Sequence, residues 1–397
     1  MVSLCMYFQV HQPTRLRHYT IFDIGKNQDY FDEKKNREII EKVATKCYRP
    51  TNELILRLIE KTKGKFKVSY SMSGVVLDQL QEYCPDVIKQ FRKLVNTGCV
   101  ELLSETYYHS LSYLYSKQEF YEQVKMHRKK IKDIFDYKPK VFRNTELIYK
   151  NELAHDLENM GYKTVLAEGA DHILGWRSPN FIYKAKTTKY VKLLLKNYRL
   201  SDDIAFRFSS RDWAEWPLTA PKFAQWISAL NGNGQTVNLF MDYETFGEHQ
   251  WEDTGIFKFL EKMPFEILKH PHNDFKTVSE AAESYRPVAE LDIHHPVSWA
   301  DVERDLSAWL GNRMQHAAIN KLYAMEEEVK KTKNRQLISD WRKLQTSDHF
   351  YYMCTKWFED GDVHKYFNPY SNPYDGFITY MNVLEDLKQR IEDEPSI

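Results

Sequence analysis

The sequence predicts an α/β protein in which strand–helix units form a parallel sheet or barrel and an α-helical bundle follows. Three observations carry this. The chain has 397 residues, room for two or three domains or for one barrel of about 250 residues with an appended piece. From residue 1 to about 285, short apolar runs alternate with helical stretches. After about 298 the strand-like runs stop and apolar residues recur at helical spacing.

The candidate strands are Ser3 to Gln9, Phe66 to Met72, Val100 to Leu103, Lys140 to Asn144, Thr164 to Ala167 and Thr236 to Met241. Helices fall between them. Pro85 suits a first helical turn, Val87, Ile88, Phe91, Leu94 and Val95 line one face, and Gly98 ends that helix before the next strand. In the bundle, Val302, Leu306, Trp309, Leu310, Met314 and Ala317 mark a first helix. Leu337, Trp341 and Leu344 mark a second, and Phe377, Tyr380, Leu384, Leu387 and Ile391 a third. Ser298 and Asp301 fit an S-x-x-D cap opening the first of these. The expected organisation is therefore a unit over 1–285, a proline-flanked linker over 286–298, and a helical domain over 299–397.

Composition excludes several classes of function. Lys plus Arg (56) balances Asp plus Glu (56), and no window is basic enough for the stripe that nucleic acid requires. No run approaches the 18 apolar residues of a membrane span. The apolar N-terminus lacks a basic leader and a cleavage site, so it reads as a first strand. Five widely spaced cysteines without C-x-x-C argue against a disulfide framework or a zinc cluster and suggest reduced thiols in the cytoplasm. Aromatic residues are abundant, with 9 Trp, 26 Tyr and 22 Phe, and flat rings suit sugar stacking as well as packing. Oligomeric state has no signature here.

In a parallel barrel, reactive groups gather where strands end. Four clusters occupy such positions: His11-Gln12-Pro13, Glu101 to Leu111 with His109, Phe142 to Tyr149 with Glu146, and Phe240 to His249 with Asp242 and Glu244. The last two each place a carboxylate at a strand end, and two facing carboxylates are what glycosidic cleavage needs, about 5 to 5.5 Å apart in a retaining enzyme. The same acids equally suit helix starts. A metal-dependent deacetylase would want a histidine pair as H-x-x-x-H, which does not occur.

The set His11-Gln12-Pro13, Gly98-Cys99-Val100-Glu101-Leu102-Leu103, Asn144-Thr145-Glu146, Asp242-Tyr243-Glu244-Thr245-Phe246-Gly247 and Ser298-Trp299-Ala300-Asp301 resembles, in order and spacing, the five motif regions of glycoside hydrolase family 57, closest to its short α-amylase group. The resemblance spans residues 1 to about 313 and continues weakly through Thr346-Ser347-Asp348-His349-Phe350-Tyr351-Tyr352. It implies an incomplete (β/α)7 barrel followed by a helical domain that helps wall the cleft. It also implies retaining double displacement on α-glucans without metal or organic cofactor, with Glu146 as nucleophile and Asp242 as general acid/base.

Beside that pair, His11 and His109 are expected to contact sugar hydroxyls, although either also suits a structural hydrogen bond. Glu244 would bind sugar or tune the proton affinity of Asp242. Trp299 and Trp216 are candidate platforms for a glucose ring, Trp299 reading equally as a core residue at a helix start. Asp348 is a candidate acid facing the cleft. Hydrolysis of α-1,4 bonds is the favoured activity. 4-α-Glucanotransfer, α-1,6 branching and non-catalytic glucan binding stand as alternatives.

Overall fold

Strand β1 (Val2–Val10) shows why these runs build a barrel. Its side chains alternate with period two. Val2, Leu4, Met6, Phe8 and Val10 join the outer core beneath the helices, whereas Cys5 and Tyr7 join an inner cluster with Leu103, Val141, Leu166, Leu194 and Phe240. A strand buried on both faces must be central. In the computed structural model, which describes residues 1–356 and 368–394, β1 pairs in parallel with β2 (Val68–Met72) and, across its other edge, with a late strand, Thr236–Asp242.

The remaining strands are β3 (Val100–Leu103), β4 (Val141–Arg143), β5 (Thr164–Glu168), β6 (Tyr183–Ala185), β7 (Lys192–Lys196), β8 (the Thr236–Asp242 strand), β9 (Asn273–Phe275) and β10 (Glu290–Leu291). Ladders join β3-β2-β1-β8 and β10-β6-β7-β5-β4, with β9 also on β1. Two seams close these halves into a ring of seven, β1-β2-β3-β4-β5-β7-β8. At one, the Ser104 N–H donates to Val141 O (2.9 Å) and the Arg143 N–H to Ser104 O (2.9 Å). At the other, the Asn197 N–H donates to Asn238 O (2.9 Å) and the Asn238 side chain to Leu195 O (2.8 Å). A side-chain amide there replaces a continuous ladder, so the barrel is an incomplete (β/α)7 barrel. All seven strands run the same way, which puts His11, Glu105, Glu146, Glu168, Lys196 and Asp242 at or just beyond strand ends on one face.

Helices of the C-terminal region seat on that face. Trp309, Ile319, Leu322, Trp341, Tyr380 and Leu384 share a core with Leu16, Tyr19, Tyr30 and Phe31 from the loop after β1, and with Leu111 and Ile148 from the loops after β3 and β4. Backbone bonds fix the register: the Ser347 N–H donates to His109 O (2.9 Å) and Thr346 Oγ1 to Tyr108 O (3.0 Å). Among the described residues, no helix is long and apolar enough to cross a membrane.

Three local expectations are corrected. The strand Lys192–Lys196 was not anticipated, because Val191-Lys192-Leu193-Leu194-Leu195 lacks the turn residues and alternation that mark a strand. Segment 286–298 does not run free: β10 pairs with β6, and Leu291, Ile293 and Val297 are buried. The first bundle helix does not open at Ser298. The chain from 299 to 306 is a loop with Asp301 and Arg304 left-handed, and helix begins only at Ser307–Leu310 and Arg313–Ala324. Ser298 Oγ spends its proton on Asp305 O (2.5 Å) within that loop, and the capping box is Asn312 with Gln315. The end of the helical segment, residues 395–397, and residues 357–367 lie outside the described residues.

Candidate active site

Where β1, β3, β4 and β8 end, one pocket is lined by Gln9, His11, Gln12, Pro13, Arg15, His109, Glu146, Asp242, Glu244, His249, Trp299, Asp348 and Tyr352. Seven of these are residues that the sequence singled out.

Glu146 follows β4 on a tight turn. It and Leu147 hold φ of 57° and 52°, a left-handed backbone that costs on the order of 1 kcal/mol or more per residue and persists only where the surroundings enforce it. The Trp299 N–H bonds to Glu146 O (3.2 Å) and the Leu147 N–H to Asn144 O (3.0 Å), which holds the turn. The carboxylate, 1% exposed, receives Ser347 Oγ (2.8 Å) and His109 Nε2 (3.3 Å) on Oε1 and Trp299 Nε1 (2.8 Å) on Oε2. Three donors converging on one buried carboxylate favour its ionised form.

His109 is itself left-handed, at φ 49°. Its Nδ1 lies 2.8 Å from Glu105 Oε2, so both ring nitrogens face carboxylates and both must donate. Burial alone would lower its pKa, but the bonds to Glu105 and Glu146 outweigh this and raise it to about 9. Reciprocally, burial would raise Glu105, and His109 brings it well below the usual carboxylate range. His109 is thus an imidazolium clamped between two carboxylates.

His11 stacks on that imidazolium, centroids 4.0 Å apart. Burial first and the neighbouring His109 charge second depress its pKa, against the pull of Asp348. Its bonds suit the neutral ring. Ser73 Oγ accepts the Val76 N–H (3.2 Å), so its own proton goes to His11 Nδ1 (2.7 Å), leaving Nε2–H to donate to Asp348 Oδ2 (3.0 Å).

Asp242 ends β8 opposite Gln9 of β1 and is half-buried. Two residues on, Glu244 is 4% exposed. It accepts Tyr48 Oη and Gln12 Nε2 (3.3 Å), both on Oε1. Burial, and then the charge of Asp242, push its pKa up to about 8. The segment that carries both is braced from outside the pocket: Cys47 Sγ reaches Tyr243 O (3.1 Å), and Gly247 at φ 109° lies so close that an added Cβ would meet Lys46 O at 2.0 Å. Gly247→Ala is accordingly expected to cost about 3 kcal/mol and to lower Tm and activity together, as a thermal scan and a glucan assay would show.

Trp216 is not among the lining residues. It stands 44% exposed between helices Tyr198–Ala205 and Ala220–Ala229, with the Arg211 guanidinium 5.9 Å from its ring. Conversely, Glu105, Ser347, Arg15, His249 and Tyr352 enter or support the pocket without having been singled out. Glu105 and His109 are four apart with no helix to explain the spacing, and Ser347 neighbours Asp348. Tyr352 ends the stretch over which the resemblance continues weakly, and for Arg15 the sequence holds no signal.

A barrel of parallel strands with two acidic turns facing one pocket defines a glycosidase-type site, and comparison with known proteins agrees. The model of glycosyl hydrolase family 57 matches residues 5–294, and the chain belongs to that family. A Methanocaldococcus jannaschii protein named "Putative alpha-amylase" is 46% identical over 97% of this chain and 84% of its own length. Among solved structures, a family 57 branching enzyme from Pyrococcus horikoshii superposes with a TM-score of 0.70 at 16% identity, over 100% of this chain and 92% of its own. The 4-α-glucanotransferase of Thermococcus litoralis gives 0.69 at 15% identity over 88% of this chain, which spans 56% of that enzyme. At such identities the two structures share the fold.

Proposed function

We propose that the protein is a retaining glycoside hydrolase cleaving α-1,4-glucosidic bonds of starch, glycogen or maltooligosaccharides. One observation carries the reading: Glu146 and Asp242 enter a single pocket in contrasting surroundings, the first ringed by donors and the second beside a buried carboxyl that resists ionisation. Double displacement needs that contrast.

Ionised Glu146 attacks the anomeric carbon as Asp242 gives its proton to the departing glycosidic oxygen, forming a glycosyl ester on Glu146. Asp242, now a base, takes a proton from water, which cleaves the ester with net retention. His11, both ring nitrogens engaged by Ser73 and Asp348, orients Asp348, whose carboxylate faces sugar hydroxyls at the pocket wall. A sugar hydroxyl in place of water would make the same site a transferase.

The test incubates wild type, Glu146→Gln and Asp242→Asn with amylose and a maltooligosaccharide, scoring reducing ends and product lengths together. New reducing ends lost in both variants are expected. Redistributed lengths without new reducing ends would make it a transferase, new α-1,6 linkages a branching enzyme, and amylose binding without turnover a non-catalytic relative.

A further inference from the structure

Trp299 entered as a platform for sugar, but its surroundings describe another task. Its Nε1–H ends on Glu146 Oε2 at 2.8 Å. Its main chain is pinned on both sides, the N–H to Glu146 O (3.2 Å) and the carbonyl to Arg304 Nη1 (2.6 Å). The loop that presents it closes on itself through the Ser298 N–H to Arg304 O (3.0 Å). A residue fastened at three points delivers its N–H to a fixed spot.

The ring also carries cations. The Arg143 guanidinium carbon sits 4.6 Å from its centroid and Lys196 Nζ 5.5 Å. Lys196 is matched by Asp202 (3.1 Å) and Glu168 (3.9 Å). Arg143 is different: it is fully buried, and none of its three guanidinium nitrogens has a hydrogen-bond partner among the described residues. Its charge acts on the Glu105 carboxylate without a hydrogen bond between them, and a buried guanidinium that rests on an aromatic face with no hydrogen bonds stabilises a fold poorly. A cation over an indole draws π density from the ring and sharpens the N–H as a donor. Arg143 is three residues from Glu146 in sequence and reaches it through that indole.

We propose that Trp299 is a positioning residue for Glu146, and that Arg143 acts through the Trp299 ring to strengthen the bond that orients Glu146 and keeps it ionised. This rests on Glu146 being the nucleophile. Among the groups facing the Glu146 carboxylate are His109, backed by Glu105, from the β3 loop, Ser347 from the helical region, and Trp299, backed by Arg143 and Lys196, from the 298–306 loop, with Asp242 and Asp348 lining the same pocket.

The variants Trp299→Phe, Trp299→Ala, Arg143→Met and Arg143→Lys separate this from a sugar platform. Trp299→Phe keeps a ring and loses the donor, so kcat on amylose should fall about tenfold or more with KM within twofold. Arg143→Met should lower kcat several-fold, Arg143→Lys should restore most of it, and Tm of Arg143→Met should hold or rise, since a buried guanidinium without hydrogen bonds is removed. The Glu146 carboxyl is titrated directly by carbon-13 NMR of glutamate-labelled protein, its signal assigned with Glu146→Gln. Its midpoint should rise by about one unit in Trp299→Phe and move in the same direction in Arg143→Met.

An unmoved midpoint and unchanged kcat in Trp299→Phe, with KM raised only in Trp299→Ala, would overturn the proposal in favour of a stacking platform. A sharply lower Tm for Arg143→Met would make Arg143 structural and overturn its part. If the wild type turned over no glucan, the hydrolase reading would fall while the NMR midpoints still decided the role of Trp299 and Arg143.

Discussion

Glu146→Ala is expected to reduce glucan cleavage by about four orders of magnitude and to open a cavity that a small anion can enter. The alanine leaves Ser347 Oγ, His109 Nε2 and Trp299 Nε1 pointing at the space the carboxylate filled. Those donors, with the imidazolium charge of His109, would hold azide where the carboxylate stood. With an aryl α-maltoside as substrate, azide should restore part of the lost rate and yield the β-maltosyl azide, because it attacks from the nucleophile's side.

Asp242→Ala should respond in the opposite stereochemical sense. An aryl leaving group departs without an acid, so the glycosyl ester on Glu146 accumulates, and azide entering from the side of Asp242 gives the α-azide. Product configuration by proton NMR distinguishes the two roles in one pair of reactions. An α-azide from Glu146→Ala, or no rescue of either variant, would reverse or remove the assignment of roles.

The sequence made the two carboxylates legible because each lies just beyond an apolar strand, where barrels collect reactive groups. The same rule reached His11, His109 and Glu244. It reached Asp348 only through motif similarity, since that acid comes from the helical region and is brought in by packing of Trp341 and Tyr380 against Tyr30 and Phe31. Tertiary partnership of this kind leaves no local pattern, which is also why Ser347 and Tyr352 were not singled out. The loop 298–306 shows the converse. Ser298-Trp299-Ala300-Asp301 matches a helix cap locally, yet bonds from Trp299 to Glu146 and Arg304 override that propensity and hold the chain open. Local preference yields where a buried carboxylate needs a donor.

Glu244 sets a large pH effect on the stability of the fold near neutrality. Burial and the Asp242 charge raise its pKa from 4.5 to about 8. Below about pH 4.5 the folded and unfolded chains both hold this proton. Between that value and about 8 only the folded chain holds it, so the unfolded state binds fewer protons and stability falls as pH rises. At the full shift the loss approaches about 5 kcal/mol. Glu244→Gln removes the titration, and a glutamine carbonyl at Oε1 still accepts from Tyr48 and Gln12, the bonds the carboxyl makes there. Chemical unfolding from pH 5 to 8.5 should therefore show wild type losing stability relative to the variant across this window.

Activity should move as well. Asp242 and Glu244 repel each other when both are charged, so their protons bind to the pair and not to either alone. With glutamine at 244 that repulsion is gone, Asp242 releases its proton more readily, and the alkaline limb of the rate profile should shift to lower pH by about one unit. Parallel stability curves would mean that Glu244 is ionised in the folded protein, and an unmoved alkaline limb would mean that its charge does not act on Asp242. The proton that Asp242 delivers to the leaving oxygen would then owe nothing to its neighbour.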